Sequence, residues 1–229
     1  MTVTAPRFSA VLFDCDGVLV DSEPITCGVL HTMLGEMGWD LPFDECIRRF
    51  VGKAFKDEAH VIYEHTGYLI DDAWIAGFRD RRDDALRAQL RPVPGAVEAV
   101  REIAAAVDVP VACVSGADRR KIVMQLAMAG LDDLFGDRVF SGMEVPHSKP
   151  APDVYLAAAA ALGIDPAAAA VIEDSSAGFR AGIAAGATVF GFAADGPTYQ
   201  TPEQLEDLGA AHVFRSMAEL PGLVLGSRV

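Results

Sequence analysis

Three things are scarce in this chain of 229 residues. Cysteine occurs at four positions only, Cys15, Cys27, Cys46 and Cys113, and no two of them have C-x-x-C spacing. That gives no disulfide framework and no thiolate zinc site, and it predicts a reduced, cytoplasmic protein. Basic residues are outnumbered, 19 Lys and Arg against 33 Asp and Glu, for a formal charge of −14. Nucleic acid and anionic membrane surfaces both need cations spread over the protein, so neither is an expected partner. An anionic ligand would need a locally positive site, made by a metal ion or a few placed lysines and arginines. Long apolar runs are also missing. None approaches the ~18–20 residues of a membrane helix, and "MTVTAPRFSA" lacks the charged start and apolar core of a signal peptide.

What is present is ordinary for a globular chain: 51% hydrophobic and 23% charged residues. The length suits one sizeable core, or a core with a modest second domain. Four short apolar runs read as buried strands: "SAVLFD" (9–14), "VPVACVS" (109–115), "AAVIED" (169–174) and "ATVFGF" (187–192). "DRV" (137–139) and "AAHVFRS" (210–216) read as two shorter ones. Helical patterns lie between them, at 94–107, 118–130, 151–163 and 176–186. Alternating strands and helices predict βαβ units and a parallel sheet, and continuously apolar strands predict that both its faces are covered. "AAAA" (167–170) reads as a helix turn or a strand lead-in. Residues 24–91 hold only helical spacing, and the stiff "RPVPG" (91–95) closes them off. The expected organisation is a core of 1–20 and 93–229 with a helical lid of 21–92 that closes over one edge of the sheet.

In open α/β sheets ligands gather beyond the carboxyl ends of the strands. The four clear strands end at Asp14, Ser115, Asp174 and Phe192, and "SKP" (148–150) brings Lys149 toward the same edge. Asp16 stands two residues after Asp14, and Glu173 beside Asp174. Alone, each has a plain structural reading: an Asp after a strand caps a turn, "SGAD" caps a helix, and most lysines are solvated. Together they make a hard, oxygen-rich site of the kind Mg²⁺ prefers, and a cation there relieves the repulsion between neighbouring acids. Two acids in one pocket can also divide labour, one as ionised nucleophile and one as proton donor and acceptor. Lys149 would neutralise the nucleophile and an incoming anion. Ser115 with the backbone N–H groups of Gly116 and Ala117 would hold phosphate oxygens.

The ordered set "DCDGVLVDSE", "VSGAD", "SKPAPDVY" and "IEDSSAGFRAG" resembles the haloacid dehalogenase superfamily, in its subfamily with an inserted helical cap. The resemblance spans nearly the whole chain. It implies a Rossmann-like doubly wound parallel sheet, Mg²⁺ as cofactor, and a small phosphorylated metabolite as substrate of a monomer. It also implies roles. Asp14 matches the nucleophile that forms an aspartyl-phosphate, and Asp16 the acid and base. Ser115, Gly116 and Lys149 match the phosphate binders. Asp14, Asp16 through its backbone carbonyl, and Asp174 match the metal ligands, with Glu173 direct or one shell out. The dehalogenating branch lacks an Asp two residues after the nucleophile, so Asp16 favours phosphoryl transfer.

The cap sequence "DECIRRFVGKAFKDE" and "VSGADRRKIVMQLAMAGLDDLF" resemble sugar-phosphate phosphatases of the 6-phosphogluconate type. Glu23, Arg49, Lys53 and Arg119 are the expected specificity residues, and a solvated helix face is the plain alternative for Arg48 and Arg49. The β-phosphoglucomutase branch is a weaker match, because Ser22, Thr26 and Phe55 stand where it carries Thr, His and Arg. Signalling receiver domains also carry a phosphorylatable Asp, but they are much shorter, lack a lid and give Asp16 no task. The four cap and core histidines considered, His31, His60, His65 and His147, have no metal spacing, and Cys15, Trp39 and Trp74 read as packing.

Overall fold

The computed structural model describes residues 7–51, 55–106 and 109–226. In chain order its elements are β1 (Ala10–Phe13), α1 (Glu23–Glu36), α2 (Phe43–Phe50), α3 (Phe55–Thr66), α4 (Asp72–Gln89), α5 (Ala96–Ala105), β2 (Val111–Ser115), α6 (Arg119–Ala129), α7 (Asp132–Phe135), β3 (Val139–Ser141), α8 (Asp153–Leu162), β4 (Ala169–Glu173), α9 (Ser176–Ala184), β5 (Thr188–Phe192), α10 (Pro202–Asp207), β6 (His212–Phe214) and α11 (Leu220–Leu225). The described residues divide into two compact units. One comprises those of 1–21, 91–195 and 199–229, the other those of 22–90 with 196–198.

The first unit holds a six-stranded, all-parallel sheet in the order β3-β2-β1-β4-β5-β6. This is the doubly wound Rossmann-like arrangement expected. β1 is central, with Val11 opposite Val111 on one side and Ala170 on the other. Its four residues are all buried, as a strand covered on both faces requires. On one face Ala10, Leu12, Ala112, Val114 and Val171 pack with Tyr155, Ala158 and Phe179 of α8 and α9. On the other, Phe13 meets Phe135 edge to face. The chain leaves β1 toward β2 on one side and returns to β4 on the other. This switch point opens a crevice at the carboxyl ends of β1 and β4.

The two shorter strands differ most in extent from the sequence reading. β3 starts at Val139, because Arg138 turns its guanidinium onto the carbonyls of Val111 (2.8 Å) and Leu134 (2.6 Å) and closes the α7 turn instead. β6 shrinks to three residues, since an edge strand pairs only with β5. The alanine stretch from 167 begins in a short 3₁₀ turn, Pro166–Ala168, capped by Asp165, before β4 starts at Ala169.

The second unit is helical and has its own core. Leu30 and Leu34 of α1, Cys46, Ile47 and Phe50 of α2, Ile62 of α3 and Phe78 of α4 pack together at helical spacing. Trp39 lies in that core, stacked on His65 with centroids 4.1 Å apart, and Trp74 stacks on Phe78. At the chain crossing the backbone N–H of Asp21 donates to the Arg91 carbonyl (3.0 Å) and that of Val93 to the Leu19 carbonyl (3.0 Å).

Candidate active site

β1 ends at Phe13 and β4 at Glu173, and the polar residues that follow them meet. Asp14, Glu173 and Asp174 present carboxylate oxygens within 4.8 Å of one another, all three residues buried. Two glycines permit the approach. Gly17 has φ +78°, and a Cβ on it would lie 2.0 Å from Asp174 Oδ2. A Cβ on Gly178 in α9 would lie 1.6 Å from Glu173 Oε1. The glycine after Asp16 and the one in the "AG" after the serines are thus required by close contact.

Lys149 lies in the middle of this cluster. Its Nζ donates to Asp14 Oδ1 (2.6 Å), Glu173 Oε1 (2.7 Å) and the Val114 carbonyl (2.9 Å). An ammonium has three protons, so all of them are placed. In this geometry Lys149 compensates the Asp14 charge, the first of its two expected tasks. Burial alone would lower its pKa, but Asp14, then Glu173, outweigh that and hold it well above the usual lysine range. Burial pushes the Asp14 carboxyl up to about 7, against the pull of Lys149 and with help from Glu173 and Asp16.

Glu173 is wholly buried and saturated. Oε1 accepts from Lys149 and from Tyr155 Oη (2.8 Å), and Oε2 accepts from the backbone N–H of Asp174 (3.1 Å), that of Ser175 (3.1 Å) and Ser175 Oγ (3.0 Å). Those five bonds make it the organiser of the cluster, orienting Lys149 and the start of α9. Tyr155 and Ser175 were not singled out in the sequence. Tyr155 sits six residues after Lys149 within "SKPAPDVY", and an otherwise apolar helix face is the one signal that pointed inward there.

Asp16 turns the other way. Its Oδ1 accepts from Lys121 Nζ (2.8 Å) and Gln125 Nε2 (2.9 Å), both on α6. Its carboxylate therefore lies outside the acidic trio. Cys15, between the two acids, is fully buried and directs its thiol to Gln125 Oε1 (3.5 Å), in keeping with a packing residue. Ser115 is buried at the end of β2, where its Oγ accepts from the Ala117 N–H (3.1 Å), and Gly116 beside it is exposed.

The expected specificity residues each have their own local setting. Arg119 is held by Glu144 in a two-bond fork (2.7 and 2.6 Å) that keeps its charge fixed and lowers the Glu144 pKa. Arg49 pairs with Glu45 (3.3 Å), lies over the Trp39 ring, and lines an open depression of the helical unit with Arg48 and Glu58. Glu23 is in the first turn of α1. Lys53 lies outside the described residues, as does Gly52.

Four carboxylates (Asp14, Asp16, Glu173 and Asp174) meet two ammonium groups, Lys121 and Lys149. The all-oxygen trio of Asp14, Glu173 and Asp174 could hold a divalent cation, whose charge would relieve the repulsion among its members. An acid–lysine centre at the switch point of a doubly wound parallel sheet defines an α/β enzyme. This chain belongs to the haloacid dehalogenase-like hydrolases, whose family model matches residues 8–186. Within that family it is a phosphomonoester hydrolase. A 6-phosphogluconate phosphatase of Escherichia coli is 32% identical over 190 residues, 82% of this chain and 84% of its own. A fructose-1-phosphate phosphatase of the same organism is 30% identical over 79% of this chain and 94% of its own. A haloacid dehalogenase family hydrolase of Deinococcus radiodurans, solved with bound phosphate and sodium, is 34% identical with a TM-score of 0.78, covering 98% of this chain and 100% of that one. Among the described residues no helix is long and apolar enough to cross a membrane.

Proposed function

We propose that the protein is a Mg²⁺-dependent phosphatase of a small phosphorylated sugar or sugar acid, working through an aspartyl-phosphate on Asp14. The observation that carries the reading is the division of the two leading acids. Asp14 is paired with Lys149 inside the acidic cluster, while Asp16, two residues on, is held by α6 away from it. The relatives named as 6-phosphogluconate, fructose-1-phosphate and hexitol phosphatases support the substrate class.

Asp14, Asp174 and the Asp16 carbonyl would hold the Mg²⁺, with Glu173 behind them. When bound, the ion supplies positive charge for the phosphoryl oxygens. Ser115 and the backbone N–H of Gly116 orient the phosphoryl group. Asp14 attacks phosphorus, and a carboxylate oxygen–phosphorus bond forms as the ester phosphorus–oxygen bond breaks. The leaving oxygen keeps that electron pair and takes a proton from Asp16. Asp16, now a carboxylate, accepts a proton from water as the water oxygen bonds to phosphorus. The bond to Asp14 breaks, its electron pair returns to the carboxylate, and inorganic phosphate and the Asp16 acid are restored.

The test is phosphate release from a panel of sugar and sugar-acid phosphates, with Mg²⁺ and with EDTA. The reading requires Mg²⁺-dependent release from one group of substrates and loss of at least ~100-fold in Asp14→Asn, about 3 kcal/mol of barrier. Interconversion of β-glucose 1- and 6-phosphates without release would replace it with the mutase.

A further inference from the structure

We propose that Lys121 and Gln125 are positioning residues for Asp16, fixing which of its two oxygens carries the proton delivered to the leaving group. The inference rests on the reading of Asp16 as the proton donor. Both groups reach it from one face of α6, four residues apart, and both are buried, Lys121 5% and Gln125 0% exposed. Their bonds converge on the same atom, Asp16 Oδ1, at 2.8 and 2.9 Å. An ammonium has no acceptor, and the Gln125 group facing Oδ1 is its NH₂. A proton on Oδ1 would therefore meet two N–H groups head on. The transferable proton is placed on Oδ2.

The holding pair is itself held. The amide of Gln125 could face either way, but its Oε1 takes the Cys15 thiol at 3.5 Å, which turns the NH₂ toward Asp16. Asp118 caps α6 and accepts the backbone N–H of Lys121 at 3.0 Å, which anchors the turn that carries the ammonium. Cys15 thus acts from between the two acids without facing either. The Lys121 ammonium and the Gln125 amide both end on the Asp16 carboxylate, so the pair serves proton delivery.

A positioning role for a proton donor has a readout that a structural role does not move. p-Nitrophenolate leaves without a proton, phenolate benefits from one, and a benzyl alkoxide requires one. kcat/KM reports the first half-reaction, so it excludes hydrolysis of the phospho-enzyme. Lys121→Met and Gln125→Leu, prepared as full chains with Mg²⁺, are expected to lower kcat/KM for benzyl phosphate about 10- to 100-fold and for p-nitrophenyl phosphate less than about 3-fold, with phenyl phosphate between. Two variants are used because either side chain is buried, and circular dichroism and Tm check each fold. Asp16→Asn separates the two layers of the argument. If its losses rise along the series while those of both variants are equal across it, the positioning role is overturned and the Asp16 reading stands. If Asp16→Asn itself shows equal losses, Asp16 is not the donor and the proposal falls with it. Rising losses in all three variants establish the role.

Discussion

Gly178 has no room for a methyl group. It sits in α9, and a Cβ there would lie 1.6 Å from Glu173 Oε1 and 1.9 Å from Cδ, against an ordinary contact of 3.4 Å or more. The neighbour is the far end of a side chain, which usually gives way cheaply. Here it does not, because five hydrogen bonds hold it. Retreat by about 2 Å would break the bonds to Lys149 and Tyr155. Each hydrogen bond to a charged group contributes ~1.5–3 kcal/mol, so losing two with partial compensation costs about 3–5 kcal/mol. For a chain of this size Gly178→Ala should lower Tm by roughly 10 °C. Lys149 and with it Asp14 would be displaced, so kcat/KM should fall at least ~100-fold. The matched control is Gly28→Ala in α1, where nothing lies within 4 Å of the added methyl. That change should stabilise by roughly 0.5–1 kcal/mol and leave kcat/KM unaltered. Differential scanning fluorimetry and initial rates measure both. A Gly178→Ala protein with wild-type Tm and activity would refute the close packing of α9 on Glu173.

Two further expectations concern the same cluster. The folded pKa of Asp14, about 7, lies above its ordinary 3.8, so the folded state binds this proton more tightly. Its contribution is present below pH ~4 and is lost as pH rises to ~7, on the order of 4 kcal/mol. In EDTA the wild-type protein should therefore lose stability relative to Asp14→Asn over that window, and Mg²⁺ should restore it; parallel Tm curves would contradict this. Tyr155→Phe removes one bond to the buried Glu173 and should cost ~1–3 kcal/mol by urea denaturation, with an unchanged m-value; no change would mean that Glu173 does not need the phenol.

The acids at the strand ends were legible because a parallel strand covered on both faces must be apolar until it stops. Asp14 and Asp174 are the first polar residues after β1 and after the Glu that ends β4. That these strands are neighbours at the switch point follows from strand order, and a run of apolar residues carries no strand order. The orientation of Asp16 was not legible either. Its partners lie 105 and 109 residues away, on a helix whose facing depends on how α6 packs. The same holds for Arg119, an expected specificity residue whose fork to Glu144, 25 residues on, depends on how α6 and the loop after β3 pack. Local chemistry named the residue types, the strand ends and the glycines; long-range packing decided which oxygen meets which nitrogen, because a hydrogen bond is set to within tenths of an ångström by the elements that carry its ends.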